Sequence, residues 1–121
     1  MTIIMTHLGY KVDVVDPDPS QFHIGDIAHA LSMQNRYAGH TKWPYSVGLH
    51  SVICSYVADI GDSYRLALLM HDAAEAYLTD MPRPVKQMVP GYTILEELMM
   101  DRLSEHFGYS RCVDDDCAGG D

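Results

Sequence analysis

The sequence has little positive charge and no long apolar run. Its 121 residues include eight Lys or Arg against 17 Asp or Glu, which gives a formal net charge of −9. Stable nucleic-acid binding is not expected, because it normally needs clustered basic side chains. No apolar segment approaches the roughly 18 residues of a membrane-spanning helix. The first ten residues lack the features of a secretory signal, so we expect a cytoplasmic protein without a membrane partner.

Cysteine is also scarce. The three cysteines, Cys54, Cys112 and Cys117, form an odd set at unrelated spacings, which excludes a disulfide framework and a zinc knuckle. Cys54 lies in an apolar stretch and is expected to be a buried thiol. Apolar residues make up 47% of the chain and charged residues 21%, which is typical of one globular domain of this length.

The hydrophobic pattern predicts an all-α fold. An extended N-terminal segment (1–19), in which Tyr10, Val12 and Val14 alternate with other residues as in a short strand, precedes a helical domain (20–108) and an acidic tail (109–121). Ser20 is expected to cap the first helix, and Gly108 to end the last one. The predicted helices cover residues 21–34, 46–60, 63–77 and 93–107, with a loop at 35–45.

The second and third predicted helices bring polar side chains into apolar surroundings. The second helix has an apolar stripe of Val47, Ile53, Val57 and Ile60, and His50 shares its face. The third helix carries an apolar run at 66–70, and His71 and Asp72 follow that run directly. A buried imidazole beside a buried carboxylate costs several kcal/mol unless a positive charge satisfies both.

These side chains have the chemistry of a catalytic metal centre. Glu75 follows at helical spacing, so it crowds the same side as His71 and Asp72. Two neutral imidazoles from His50 and His71 and the Asp72 carboxylate can hold a divalent ion and leave a position open for water. The ion is expected to be Mn, Co, Mg, Zn, Ni or Fe. A satisfied core histidine and an exposed polar patch are the structural alternatives for each residue taken singly.

The surrounding motifs resemble the HD-domain metal-dependent phosphohydrolases, in the phage and bacterial branch near the 5′-deoxynucleotidases. The likeness covers roughly residues 20 to 108. It is carried by the stretches 26–32, 36–41, 45–52, 71–80 and 82–86. The resemblance implies a compact HD-domain helical bundle and the hydrolysis of a phosphoester, with a deoxynucleoside mono- or triphosphate as the expected substrate.

The resemblance also implies a role for individual residues. His50, His71 and Asp72 match the metal ligands of the family, and Glu75 matches the carboxylate that orients or deprotonates the attacking water. Asp80 matches a second acidic residue near the phosphoryl group, and Arg36 matches a basic residue of the substrate pocket. In the same loop, His40 and Trp43 are candidates for contact with phosphate and base, or equally form a structural turn.

One departure from the family pattern concerns the end of the chain. The family closes its metal site with a further Asp on a later helix, whereas this tail offers only Asp114, Asp115, Asp116 and Asp121. Asp116 is the positional candidate for that ligand, and a solvated acidic run is the alternative. If the last family helix is missing, apolar surface on the preceding helices is left uncovered, and a homodimer is the expected way to bury it.

Two other functions fit the same motifs. One is a phosphodiesterase acting on a cyclic or linear dinucleotide. The other is a degenerate, non-catalytic HD module that binds nucleotides. The presence of both Glu75 and Asp80 favours an enzyme, because a pure binding module would not need both.

Overall fold

The computed structural model describes residues 1–57 and 61–111, and most of them are helical. Two short strands pair first, β1 (Ile3–Met5) and β2 (Lys11–Asp13). Within the described ranges, the helices are α1 (Ile24–Ser32), α2 (Val47–Val57), α3 (Asp62–Leu69), α4 (Glu75–Leu78), α5 (Arg83–Lys86) and α6 (Pro90–Phe107), with 3-10 turns at Pro19–Gln21 and Arg36–Gly39. The all-α prediction is therefore confirmed as a mostly helical fold that also has a small sheet.

The N-terminal strands form an antiparallel hairpin in which Ile4 lies opposite Val12. The predicted alternation is confirmed, because Val12 points inward and is fully buried. The hairpin is tied to α1 by a hydrogen bond from the Leu8 amide to Asp26 Oδ1, 2.8 Å long. This contact holds the extended segment against the helices.

Helix α1 begins at Ile24, three residues later than predicted. Ser20 does not cap it, because Pro19 and its neighbours form a separate 3-10 turn capped by Asp18. His23 caps α1 instead, and its Nδ1 atom accepts a hydrogen bond from the Gly25 amide at 3.0 Å. A ring nitrogen therefore takes the place usually held by a Ser or Asp oxygen.

Helix α2 has its polar side inward, so the predicted apolar stripe is wrong at Ile53. The buried positions are Val47, His50, Ser51, Cys54 and Ser55, whereas the exposed apolar ones are Leu49, Val52, Ile53 and Tyr56. Gly48 lets the helix approach α1 closely, since a Cβ atom there would lie 3.3 Å from the Ser32 backbone nitrogen. The predicted end of this helix, at residues 58–60, lies outside the described residues.

The predicted third helix is not continuous. Helix α3 ends at Leu69, and residues 70–74 form tight turns before α4 begins. The Leu68 carbonyl, which would accept from Asp72 in a continuous helix, accepts instead from the amide of His71 at 3.3 Å and from its Nδ1 atom at 2.6 Å. The imidazole thus competes for a helical hydrogen bond and helps to end the helix.

Helix α6 starts at Pro90, earlier than the predicted residue 93, because proline suits the first turn of a helix. Its end at Gly108 is confirmed, with a left-handed φ of 75° and an amide that donates to the Ser104 carbonyl. The buried core joins the hairpin, α1, the 70–74 turns and α6, and its members are Val12, Phe22, Ile27, Leu31, Val47, Met70, Ala73, Ala74, Tyr77, Met99, Met100 and Leu103.

Candidate metal centre

Three of the predicted ligands converge where α2 faces the 70–74 turns. The Nε2 atom of His50 lies 3.6 Å from Asp72 Oδ2, and the Nε2 atom of His71 lies 3.1 Å from the same oxygen. The two imidazole rings meet edge to face, with centroids 5.1 Å apart. The structure therefore brings these side chains within reach of one ion.

The break after Leu69 explains how neighbouring residues can share that ion. On a continuous helix, His71 and Asp72 would diverge by about 100°, but in the turn both side chains face His50. Because the Leu68 carbonyl can only accept, the Nδ1 atom of His71 carries the proton in this contact. The hydrogen bond fixes the ring and leaves Nε2 as the ligand atom, which is the usual arrangement of a metal-binding histidine.

The charge states of His50 and Asp72 suit a cation, whereas the raised pKa of His71 favours a protonated ring, in which a proton competes with an ion for Nε2. Burial, followed by the positive charge of Arg36, lowers the pKa of His50 to about 4, so its ring is neutral. Burial opposes the charged forms of His71 and Asp72, but their mutual hydrogen bond and attraction prevail. The pKa of His71 is therefore raised and that of Asp72 is lowered.

A second carboxyl group lies directly behind Asp72. Glu75 is only 6% exposed, and its Oε1 atom meets no hydrogen-bond donor among the described residues. Burial and the nearby carboxylates of Asp72 and Asp80 together raise the pKa of Glu75 to about 11. Three crowded carboxyl groups with an unsatisfied buried oxygen are expected beside a cation.

Arg36 contributes positive charge from the loop after α1. Its side chain is buried, and the guanidinium carbon lies 4.7 Å from the centre of the Tyr37 ring and 5.4 Å from that of Tyr45. The positive charge of Arg36 helps to lower the pKa of His50 and opposes the rise in the pKa of His71, which places it near the predicted metal ligands.

The remaining predicted residues lie further out or beyond the described chain. His40 is exposed, and its amide donates to the Tyr37 carbonyl within a turn. The indole of Trp43 is 74% exposed. Contact of His40 and Trp43 with a substrate stays a prediction. Asp116 lies outside the described residues.

Cys54 is a member of this centre that the sequence analysis did not select. It lies one helical turn after His50, and its Sγ atom is 3.6 Å from the Nε2 atom of that residue. The candidate ligand atoms of His50, Cys54 and His71 all lie within 4.8 Å of one another. The i,i+4 spacing from His50 was the available signal.

Gln34 was also missed, because its partners are distant in sequence. Its Nε2 atom donates to the Glu75 carbonyl at 2.9 Å, and its Oε1 atom accepts from the Asp80 amide at 2.9 Å. We call this pair of hydrogen bonds the Gln34 brace. Beside it, the hydroxyl of Tyr92 donates to the Thr79 carbonyl. Gln34 and Tyr92 thus fix the backbone that carries Asp80.

The donor set fits a divalent ion of the transition series. Imidazole nitrogen and carboxylate oxygen are ordinary ligands for such ions, and a thiol is available beside them. The Glu75 Oε1 atom is buried without a hydrogen-bond donor among the described residues, and a cation beside it would stabilise it. His50, Cys54, His71 and Asp72 are accordingly the side chains of the described chain that we consider as ligands.

Comparison with known proteins identifies two relatives, both described as uncharacterised. The protein YfdR of Escherichia coli (strain K12) is 37% identical over 110 residues, which are 89% of this chain and 60% of YfdR. The protein RCAP_rcc00048 of Rhodobacter capsulatus is 37% identical over 108 residues, covering 83% of this chain and 55% of the relative. The chain thus spans somewhat more than half the length of these curated relatives. No protein-family model matches it, and none of its described helices is long and apolar enough to cross a membrane.

Proposed function

We propose that this protein is an HD-type, metal-dependent phosphohydrolase that acts on a nucleotide, with a deoxynucleoside mono- or triphosphate as substrate. The observation that carries the proposal is the convergence of His50, His71 and Asp72, with Glu75 and Asp80 directly behind them. A cytoplasmic location agrees with Cys54, which is a thiol and not half of a disulfide.

The proposed ligands are the Nε2 atoms of the two histidines and the carboxylate of Asp72. A divalent ion bound there would polarise a phosphoryl oxygen and lower the pKa of a water molecule. The neutral ring of His50 supports this role, because a ligand nitrogen must be unprotonated. The backbone hydrogen bond of His71 supports it as well, because it points Nε2 toward Asp72.

Glu75 is proposed to orient the attacking water and to accept its proton once a bound ion offsets the burial and the Asp72 and Asp80 charges that raise the pKa of Glu75. It is buried beside Asp72 and has an oxygen with no donor in the described chain. Asp80 is proposed to orient or protonate the leaving oxygen, and the Gln34 brace holds its amide in place. The two acidic side chains influence each other, since Asp80 contributes to the raised pKa of Glu75.

Arg36 is proposed to offset charge on the non-bridging phosphate oxygens. Its guanidinium is buried against two tyrosine rings, so its position is restricted before the substrate arrives. Trp43 is proposed to stack on the base, as an exposed indole can, and His40 to approach the phosphate.

A nucleotide panel tests the proposed function. The purified protein is stripped with a chelator and supplied with Mn, Co, Mg, Zn, Ni or Fe. It is then assayed for release of phosphate, pyrophosphate or triphosphate. We expect hydrolysis of one or more deoxynucleotides that disappears when the metal is removed. Cleavage restricted to cyclic or linear dinucleotides would identify a phosphodiesterase, and nucleotide binding without turnover under any metal would identify a non-catalytic module.

The division of roles is tested by direct metal analysis of two variants. Asp72→Ala is expected to lose metal and activity together, because it removes a ligand. Glu75→Ala is expected to keep the metal and lose turnover, because its role concerns the water. Glu105→Ala, at an exposed position of α6, is the matched control. A metal-free Glu75→Ala protein would contradict the role proposed for Glu75.

The protein is further proposed to form a homodimer through an apolar face of α2 and α3. We call this surface the α2–α3 face and define it by its exposed apolar side chains, Leu49, Val52, Ile53, Tyr56, Leu66 and Leu69. A two-fold contact uses the same patch on both copies, so each copy buries the same apolar side chains.

A further inference from the structure

Cys54 has no role in the proposed hydrolysis, yet its sulfur is buried beside the proposed metal ligands. The residue is 3% exposed, and its Sγ atom lies 3.6 Å from Nε2 and 3.8 Å from Nδ1 of His50. With His71, the three ligand atoms lie within 4.8 Å of one another. The same imidazole nitrogen of His50 is also 3.6 Å from Asp72 Oδ2.

These separations are those of donors that share one ion. Zinc binds sulfur at about 2.3 Å and imidazole nitrogen at about 2.0–2.1 Å, so neighbouring donors around a tetrahedral ion lie roughly 3.5 Å apart. The sulfur of Cys54 and the carboxylate of Asp72 both stand near this distance from His50 Nε2. The Cys54 side chain has to turn toward Nε2 to share an ion with it, because Sγ lies almost equally far from both ring nitrogens of His50.

We propose that Cys54 is a thiolate ligand of this metal centre and makes it selective for Zn²⁺ or Co²⁺ over Mg²⁺ and Mn²⁺. The proposal rests on the metal-binding part of the proposed function. On binding, the S–H bond breaks, the proton passes to solvent, and the sulfur electron pair forms the bond to the ion. Thiolate favours borderline and soft cations, whereas Mg²⁺ and Mn²⁺ favour oxygen ligands.

Charge balance supports the proposal. The thiolate of Cys54 and the carboxylate of Asp72 supply two negative charges, and His50 and His71 supply neutral nitrogens. Together they neutralise a doubly charged ion in a site where an unbalanced charge would be costly. The described chain thus offers four candidate donors, of which His50, Cys54 and His71 have ligand atoms within 4.8 Å of one another.

The test uses cobalt as a spectroscopic probe in a protein whose other cysteines, Cys112 and Cys117, are replaced by serine. Co²⁺ added to this background is expected to produce the near-ultraviolet charge-transfer band of a thiolate–cobalt bond. Adding Cys54→Ser is expected to abolish the band and to weaken Zn²⁺ binding about tenfold or more. Mn²⁺ binding should change much less, because Mn²⁺ gains little from sulfur.

A measurement that needs no change at Cys54 guards against a variant that fails to fold. Zinc X-ray absorption of the same cysteine background is expected to show one sulfur at about 2.3 Å in addition to nitrogen and oxygen at about 2.0–2.1 Å. Circular dichroism of the metal-free variants checks that the helices are retained. A shell of nitrogen and oxygen alone, or a cobalt band that persists in Cys54→Ser, would overturn the proposal.

The outcome is separable from that of the proposed function. A thiolate band in a protein that hydrolyses no nucleotide would leave the ligand inference standing and reject the phosphohydrolase. Hydrolysis by a centre without a sulfur ligand would do the reverse. Cys54 would then be a buried thiol that only packs against the His50 ring.

Discussion

Replacing Gln34 by leucine should show how much the Gln34 brace contributes to the free energy of unfolding and to the proposed activity. The Gln34 side chain uses both ends of its amide, donating to the Glu75 carbonyl and accepting from the Asp80 amide, each at 2.9 Å. Leucine has a similar size and removes both hydrogen bonds. The Glu75 carbonyl still accepts from the Thr79 amide at 2.9 Å, so the Asp80 amide is the group that loses most.

The magnitude follows from the two lost contacts. A typical intramolecular hydrogen bond contributes about 1 kcal/mol, so the loss of two should lower the free energy of unfolding by about 2 kcal/mol. For a domain of this size, that corresponds to a fall in Tm of about 8 °C. The turnover number should fall as well, because Asp80 is no longer held. Metal affinity should be retained, because Gln34 bonds to none of the proposed ligands.

Urea and thermal unfolding of chelator-treated protein measure the stability change without a contribution from bound metal. Gln87→Leu is the matched control, since Gln87 is exposed at the end of α5. If the free energy of unfolding of Gln34→Leu falls by less than about 0.5 kcal/mol, or by no more than that of the control, the stabilising role of the Gln34 brace is refuted. Loss of metal together with stability would show that the substitution disturbs the ligands themselves.

Three other predictions concern separate parts of the chain. Val52→Asp should lower the affinity of the proposed dimer at least about tenfold, measured by light scattering, because it introduces a negative charge into the interface of both copies. Ile94→Asp, at an exposed position of α6, is the control, and an equal effect of the two substitutions would reject the α2–α3 face as the interface. Thr79→Gly should raise the free energy of unfolding by about 1 kcal/mol in urea unfolding, because the Thr79 backbone, with φ 81° and ψ 156°, lies in a region that favours glycine and strains other residues. A loss of stability would contradict this backbone strain. Deleting residues 112–121 should leave metal content and hydrolysis nearly unchanged, whereas a tenfold loss of metal affinity, about 1.4 kcal/mol, would show that the tail supplies Asp116 or a neighbour.

The sequence was sufficient to select three side chains that meet at the candidate centre, His50, His71 and Asp72, but not Cys54. An imidazole and a carboxylate directly after an apolar run are conspicuous, because burial makes unpaired polar groups costly. The structure brings His71 and Asp72 to His50, as the pattern indicated. The N-terminal alternation and the glycine after α6 were similarly local signals, and both predicted the structure correctly.

The break within the predicted third helix could not be read from periodicity. Residues 63–77 carry helix-favouring side chains, and nothing in the pattern marks a turn after Leu69. The break depends on the His71 ring taking the Leu68 carbonyl. The two hydrogen bonds of Gln34 could not be predicted either, because their partners, Glu75 and Asp80, lie 41 and 46 positions further along the chain. A single sequence contains no information about which distant backbone groups a side chain will reach.

The prediction for α2 was wrong at Ile53 because the usual rule places apolar side chains inside. Here the inner face carries His50 together with the small polar side chains of Ser51 and Ser55. The apolar side chains of Val52 and Ile53 are consequently left on the outside. A helix with this distribution gains little from burial in one chain, so its outer face is a surface that a partner would stabilise. The exposed apolar side chains of α2 are therefore the observation on which the proposed dimer rests.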